Sequence, residues 1–389
     1  MKRILFICAI TIFVSSLRAQ EKEDFFKLGG AIRFNTSVEN YEKSNKALNT
    51  YIKLDTWYLS ADAYKSGFDL SFQYRFYPDS KAHFLHHGYI GYQIDQSLYI
   101  KGGVFQKPFG IGDFASHSWW FQIPYYMGLE DTYNTGIGLS YQLSQWRFDF
   151  AYFRQAAPKG SISDNTLDND VGNGRYSYAV VPTTGYAGNT LVDANIRELN
   201  HFNLRARYKL NENIEFGVSG QLGSIYNKEL NSRKWGTSTA LHIVADYNKW
   251  NFKGEFISYN YNAQGNNKEK LDILQMAAYG AAYDVATKGN IYILGLAYMI
   301  PINRKFIKYI QPYIDYSIVD KHKKEYFNIQ HLIPGALFSM GPIYTYVDFA
   351  LGKNQPWLTS NFGEGLGKGT ANARWNSRFN INIGYYFNQ

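Results

Sequence analysis

The sequence predicts a transmembrane antiparallel β-barrel of about 16 strands. Three observations carry that fold class. Segments of about ten residues alternate apolar and polar side chains, as a wall with lipid on one side and water on the other requires. The chain holds 34 Tyr, 27 Phe and 8 Trp, yet its mean hydropathy is −0.36, so it is rich in rings and hydrophilic on average. No apolar run of about 20 residues, the length of a membrane helix, occurs after the opening segment.

That opening segment has Lys2 and Arg3, an apolar stretch over residues 4–14 and a short exit over residues 15–19. It reads as a secretory signal peptide with cleavage after Ala19, although Leu17 is bulky for its position. Residues 20–389 then form one barrel domain, because no shift of composition divides them. The only cysteine, Cys8, leaves with the signal, which excludes disulfide scaffolds and zinc-thiolate sites. The formal charge of +8 falls to +5 when Lys2, Arg3 and Arg18 are removed. The remaining cations are spread singly along strands, which reads as a mildly basic, water-filled lumen and not as a nucleic-acid surface.

The strands follow in order. Residues 26–35 set Lys27 and Arg33 against Leu28, Ile32 and Phe34. Residues 51–62 set Lys53, Asp55 and Trp57 inward. In residues 68–76, Phe68, Leu70, Phe72, Tyr74 and Phe76 alternate with Asp69, Ser71, Gln73 and Arg75. A cation at the bilayer midplane costs about 2–4 kcal/mol, so Arg75 points inward. Residues 84–95 lead through a tight turn into the strand that begins at Leu98. Beyond the central loop come residues 137–143 and 146–152, the latter with Arg147 and Asp149 inward. Residues 202–210 alternate cleanly, with Asn203, Arg205, Arg207 and Lys209 on the inner face. Residues 214–223, 241–247, 250–259, 291–299, 309–318, 327–338, 343–351 and 378–387 complete the wall. The connections at 156–196 and 353–372 are rich in Gly, Asn and Ser and read as outer loops.

Parity decides one segment. A barrel with both ends in the periplasm has an even strand number, yet counting residues 271–283 as a strand gives an odd one. The connections on either side of it both fall on the outer rim. Its Leu, Met and Ala content favours helix, so a short helix is expected near 268–283 inside one outer loop. The final strand ends close to Phe387, as a signal for the barrel-insertion machinery would.

The wall is organised around residues 97–143. Lys107-Pro108-Phe109-Gly110 ends a strand, because proline cannot donate to the ladder. The loop beyond it, 111–132, has no Arg or Lys; it carries Asp113, Glu130 and Asp131 with His117, Trp119, Trp120, Tyr125 and Tyr126. We expect it to fold into the barrel mouth as a constriction formed by Lys107, Pro108, Phe109, Gly110, Asp113, His117, Trp119 and Trp120. The run YIKGGVFQKPFG at 99–110, with YNTGIGLS after it at 133–140, resembles the phosphate-selective porin O/P family. That resemblance implies a 16-stranded barrel, often trimeric, that passes small solutes with some anion preference. The family's arginine ladder and lysine cluster do not map onto this chain residue by residue.

The chemistry expected of the site is that of a pore, selecting by charge and diameter. The inward cations are Lys27, Arg33, Arg75, Lys101, Arg147, Arg205, Arg207, Lys209 and Arg378. They either attract anions through the wall or pair with inward acids such as Asp55, Asp69, Asp149 and Glu215 and brace it. His86 and His87 are neighbours, so a regular strand sends them to opposite faces and they cannot share a metal. Asp164, Asp168 and Asp170 read as a solvated acidic loop before a cation site. Trp119-Trp120 with Tyr125-Tyr126 suit either sugar stacking or anchoring of the loop. Ser116-His117 are adjacent, but adjacency is not the geometry of a nucleophile and its base. No cofactor, metal or nucleic-acid partner is expected. The sequence therefore points to a porin in the outer membrane of a Gram-negative bacterium, with lipid, small hydrophilic solutes or anions, the insertion machinery and a homotrimer as partners. A barrel binding a surface ligand or glycan through its outer loops is the alternative, and an outer-membrane hydrolase a more remote one.

Overall fold

A wall exposed to lipid must pair every backbone N–H and C=O within itself. Here one antiparallel sheet does so by closing on its own first strand. The computed structural model describes residues 23–41, 51–112, 114–162, 174–187, 190–302, 304–359 and 362–388. The expected signal peptide, Asp113, Asp164, Asp168 and Asp170 lie outside these residues.

Sixteen long strands make the wall: β1 (Phe25–Glu39), β2 (Lys53–Lys65), β3 (Phe68–Tyr77), β4 (Ala82–Gln93), β5 (Leu98–Gln106), β6 (Tyr133–Leu143), β7 (Trp146–Ala156) and β8 (Ile196–Asn211). Then come β9 (Ile214–Asn227), β10 (Ser232–Tyr247), β11 (Trp250–Asn260), β12 (Lys288–Tyr298), β13 (Tyr309–Lys321), β14 (Ile329–Met340), β15 (Ile343–Lys353) and β16 (Asn376–Phe387). Each pairs with its sequence neighbours, and β1 pairs with β16 from Gly30↔Phe387 to Glu39↔Arg378. Two-residue pieces, Ser161–Ile162 and Ile300–Pro301, add to the sheet edge. One rim carries tight turns, such as residues 66–67, 144–145, 212–213 and 248–249; the other carries the long loops.

Burial is inverted relative to a water-soluble protein. Along β8, Leu204 is 55% exposed while its neighbour Arg205 is 7% exposed. Leu28, Ile32, Phe68, Leu70 and Phe72 are exposed, while Arg33 and Gln73 are buried. A continuous exposed apolar face of this kind is a membrane surface. Rings gather near both rims, as interfacial belts do. Trp146 lies 4.8 Å from Tyr208 and Trp250 4.6 Å from Tyr298 at the short-turn end. Trp57 stacks on Phe76 at 3.9 Å toward the other end.

The wall's register shifts at five places among the described residues, and two of these shifts bear on the site. The β1–β2 register slips so that Arg33 faces Thr56 and Phe34 faces Leu54, leaving Asp55 as the extra residue. One extra residue reverses the alternation beyond it. Asp55 and Tyr58 therefore both face the lumen, and Trp57, expected inward, stacks outside on Phe76. The β3–β4 register slips likewise around His86. His86 and His87, expected on opposite faces, sit side by side with their Nδ1 atoms 2.8 Å apart.

The expected helix near 268–283 is not a helix. Ile273–Ala278 and Ala281–Ala286 form a hairpin whose turn residues, Tyr279 and Gly280, have φ of +55° and +82°. Two left-handed residues in succession are the signature of a tight hairpin turn. Here tertiary pairing overrides propensity: Ile273–Ala278 also pairs with Ala179–Val181 from an earlier loop, making a three-stranded sheet. The segment does lie within one loop between β11 and β12, so sixteen strands form the wall.

The main apolar core lies inside the barrel's upper half. Phe109, Ile123 and Met127 of the central loop pack with Val180, Leu274, Met276 and Tyr283 of the loop sheet and with the inward residues Ile257, Ile291 and Val319 of the wall. The lumen is thus filled on the β8–β14 side and open along β1–β3 and β16. Leu204→Arg puts a charge on the outer face near mid-wall and should lower stability in a bilayer by about 2–4 kcal/mol. Denaturant titration of the vesicle-folded protein measures this; an unchanged midpoint would mean that Leu204 does not meet lipid.

Candidate functional site

The central loop, residues 107–132, starts where Pro108 breaks the β5–β6 ladder just after Lys107 N–H bonds Thr132 O at 2.8 Å. Gly110 turns it inward. Its φ is +60°, a left-handed conformation that favours glycine, and a Cβ there would displace the Glu255 carboxylate, whose Oε1 would lie 2.0 Å away. Ile123–Met127 forms a 3₁₀ turn with Pro124 near its start and left-handed Gly128 at its end.

Wall acceptors hold the loop against the far side. Gly110 N–H donates to Ser219 Oγ at 3.0 Å, and Ile111 N–H to Glu255 Oε1 at 3.3 Å. Asp315 on β13 accepts from His117 N–H at 2.7 Å, from Ser118 N–H at 2.9 Å, and bonds His117 Nδ1 at 2.8 Å. Asn251 Oδ1 takes His117 Nε2 at 2.6 Å, and Ile123 N–H reaches Ser317 Oγ at 3.2 Å. Lys253 Nζ donates to Phe114 O at 2.6 Å. These buried groups are strong anchors because an unmet partner would cost about 1–3 kcal/mol. Both nitrogens of His117 are engaged, so neither is left to activate Ser116.

The sequence-predicted cations fall into three groups. Arg33, Arg75 and Arg378 line a cleft of about 650 Å³ beside β1–β3 and β16, facing Trp119, Trp120, Tyr125 and Tyr126 of the loop. Arg33 lies 4.4 Å from the Trp119 ring centroid, Arg75 4.6 Å from that of Tyr176, and Arg378 5.4 Å from that of Trp120. Arg33 pairs with Asp55 at 3.6 Å and Arg378 with Glu39 at 3.2 Å. Among the described residues Arg75 makes no ion pair; it donates to Gln73 Oε1 at 2.6 Å and to the Tyr77 hydroxyl at 3.5 Å.

Lys101, Arg147, Arg205 and Arg207 line a second cavity of about 320 Å³ with Lys107, Pro108 and Asp149. Asp149 pairs with Arg147 at 3.0 Å, Arg205 at 3.1 Å and Arg207 at 3.4 Å; Glu215 adds a bond to Arg207 at 3.6 Å. Lys101 sits 4.6 Å from the Phe105 ring centroid. Lys27 and Lys209 are exposed toward the short-turn rim. Asp69, a candidate partner for a cation, instead accepts from the Tyr99 hydroxyl at 2.7 Å.

Of the loop's expected constriction residues, Phe109 is buried in the core, Gly110 lies against the wall and His117 is tied to β13. Of that set, His117, Trp119 and Trp120, within the Ser116–Phe121 stretch, border the larger cleft, and Lys107 and Pro108 border the smaller one. Sequence reasoning missed the anchors Ser219, Glu255 and Asp315, and the rings of Tyr176, Tyr178 and Tyr279 contributed by distant loops. The inward phase of Asp315 was readable; its partner was not.

Burial shifts the loop's own ionisable groups. It pushes the Glu130 carboxyl well above the usual range, and nearby Glu255 adds to this. Asp131 is raised by burial and partly restored by the Tyr176 hydroxyl that donates to it. Burial lowers the Lys107 ammonium, against the pull of Glu198. Glu130 Oε1 accepts from Ala115 N–H at 2.9 Å and so clips the loop's two ends together.

No protein-family model and no curated protein matches the chain. Solved structures share its fold. The outer membrane channel DcaP of Acinetobacter baumannii superposes with a TM-score of 0.57 at 10% identity, covering 94% of this chain and 97% of that one. The anion-selective porin from Comamonas acidovorans gives 0.57 at 10% identity, covering 94% and 100%. Salmonella typhi OmpF, in complex with daunomycin, gives 0.57 at 10%, covering 93% and 97%.

Two outcomes are expected of the anchors. Asp315→Ala strips three bonds from residues 117–118 and should release the loop at a cost of about 3 kcal/mol or more. Faster protease cleavage between 111 and 132 reads this, and unchanged protection would remove Asp315 as an anchor. For Glu130, the folded loop keeps a proton that the unfolded chain loses between the ordinary carboxyl value and the raised one. Stability therefore falls as pH rises across that window and is flat beyond it. Glu130→Gln should flatten the pH profile of loop cleavage; identical profiles would mean that this clip does not titrate.

Proposed function

We propose that the chain is an outer-membrane porin of a Gram-negative bacterium, allowing passive diffusion of small hydrophilic solutes with a weak anion preference. The observation that carries this reading is the inward loop 107–132, which fills one side of a closed barrel and leaves cation-lined space on the other. The fold shared with solved channels supports it.

Anion preference rests on the charge balance. In the smaller cavity Lys101, Arg147, Arg205 and Arg207 face Asp149 with Glu215 behind, so cations exceed acids although most are paired. Paired cations brace the wall, and the excess sets the sign of the field inside a low-dielectric tube. The resemblance at residues 99–110 favours the phosphate-selective O/P family in architecture, with a homotrimer as the assembly. The barrel-insertion machinery and outer-membrane lipid are the partners this reading implies. Signal cleavage after Ala19 belongs to the same proposal.

One observation favours a second reading. The loop sheet of Ala179–Val181 with the 273–286 hairpin is a largely buried brace for the long loops, as a barrel holding its outer loops in place for a surface ligand would need. Planar-bilayer recording separates the two. A porin gives stable single-channel steps, with a reversal potential of anion-preferring sign in a salt gradient. Arg147→Gln with Arg207→Gln should shift that potential toward cations. Folded protein without any conductance would overturn the porin reading and favour the surface-ligand barrel.

A further inference from the structure

The larger cleft differs from a simple charged ring. Its wall is mostly aromatic, and its three arginines lie over those rings. Arg33 and Arg75 flank the same ring, Tyr58, at 6.0 and 5.3 Å from its centroid. A guanidinium over a ring face keeps N–H donors in its own plane, and these match a carboxylate. Arg75 has no ion-pair partner among the described residues; Gln73 and Tyr77 take donors at its Nε and Nη1, which leaves Nη2, and its Cζ lies 4.6 Å from the Tyr176 ring centroid. Further donors in the cleft wall are also unmatched. Arg378 Nε and Trp120 Nε1 are buried and have no hydrogen-bond partner among the described residues, and Arg33 Nε is met only by Asp55 at 3.6 Å.

We propose that this cleft selects aromatic carboxylates as the channel's preferred solutes. The proposal rests on the porin reading and adds the solute class to it. The volume, about 650 Å³, suits a small organic molecule. A hydrated inorganic anion gains nothing from ring faces and loses its water to reach them. A flat ring recovers that cost by stacking, while its carboxylate meets donors on Arg75 and its neighbours. An uncharged ring leaves the arginine unmatched, and a saturated acid cannot lie flat between rings.

The test is single-channel recording of the full-length protein in planar bilayers with five solutes: benzoate, cyclohexanecarboxylate, benzyl alcohol, phosphate and glucuronate. Benzoate should interrupt the current at concentrations at least about tenfold below those needed of the others. Arg75→Gln should raise the benzoate concentration required by about tenfold or more, measured against that variant's own chloride current. Equal blockade by phosphate, glucuronate, cyclohexanecarboxylate or benzyl alcohol would overturn the aromatic-anion assignment and leave the porin reading standing. If the variant does not insert, the solute panel on the unaltered protein decides. If no current appears, the porin reading fails, and calorimetry of the detergent-folded protein with the same solutes decides binding by itself.

Discussion

The structure depends on one constraint: no backbone group may face lipid unpaired. A closed sheet meets it, and closure imposes a period of two on every strand. The period sorts side chains without reference to their neighbours in sequence. Leu204 goes out and Arg205 goes in because they are adjacent, and the same rule sends Phe72 and Gln73 to opposite sides. The lumen is polar as a consequence of the wall, before any solute is considered. What distinguishes this barrel is how that polar interior is then used.

Much of it is used to hold a loop. Asp315, Ser317, Ser219 and Glu255 lie on inward positions of β9, β11 and β13, and each accepts backbone N–H groups from residues 110–123. A loop folded into a barrel has the same problem as the wall, since its own N–H groups are taken from water. The wall's inward acceptors solve it. The apolar residues Phe109, Ile123 and Met127 then pack against Ile257, Ile291 and Val319, giving the barrel an interior core on one side only. The asymmetry of the passage comes from this packing.

The fold was legible wherever alternation ran unbroken. Residues 68–76 and 202–210 disclose their lipid and lumen faces directly, and parity places 271–283 within a loop. Its form was not legible, because Leu, Met and Ala read as helix when their β-partners, such as Val181 opposite Gln275, lie about ninety residues away. Bulges were equally hidden. Nothing local marks Asp55 or His86 as an extra residue, yet each reverses the facing of the later residues in its strand. That reversal misplaced Trp57 and separated His86 from His87. For the site, the wall arginines could be named from phase, while their aromatic partners could not. Tyr176 comes from one distant loop and Trp119 from another, and only the closed barrel brings them to Arg75 and Arg33.

The loop sheet has a consequence for the order of assembly. Val181 precedes β8 and Gln275 comes after β11, so four strands of wall separate the two partners in sequence. Loop closure over that span is entropically costly until those strands have formed and brought its ends together. The sheet is therefore a late product of folding, made after β8–β11 are set side by side. Its stability is conditional on theirs, and local opening can begin there without disturbing the wall. A chain caught before this step would have a complete cylinder and an uncovered mouth.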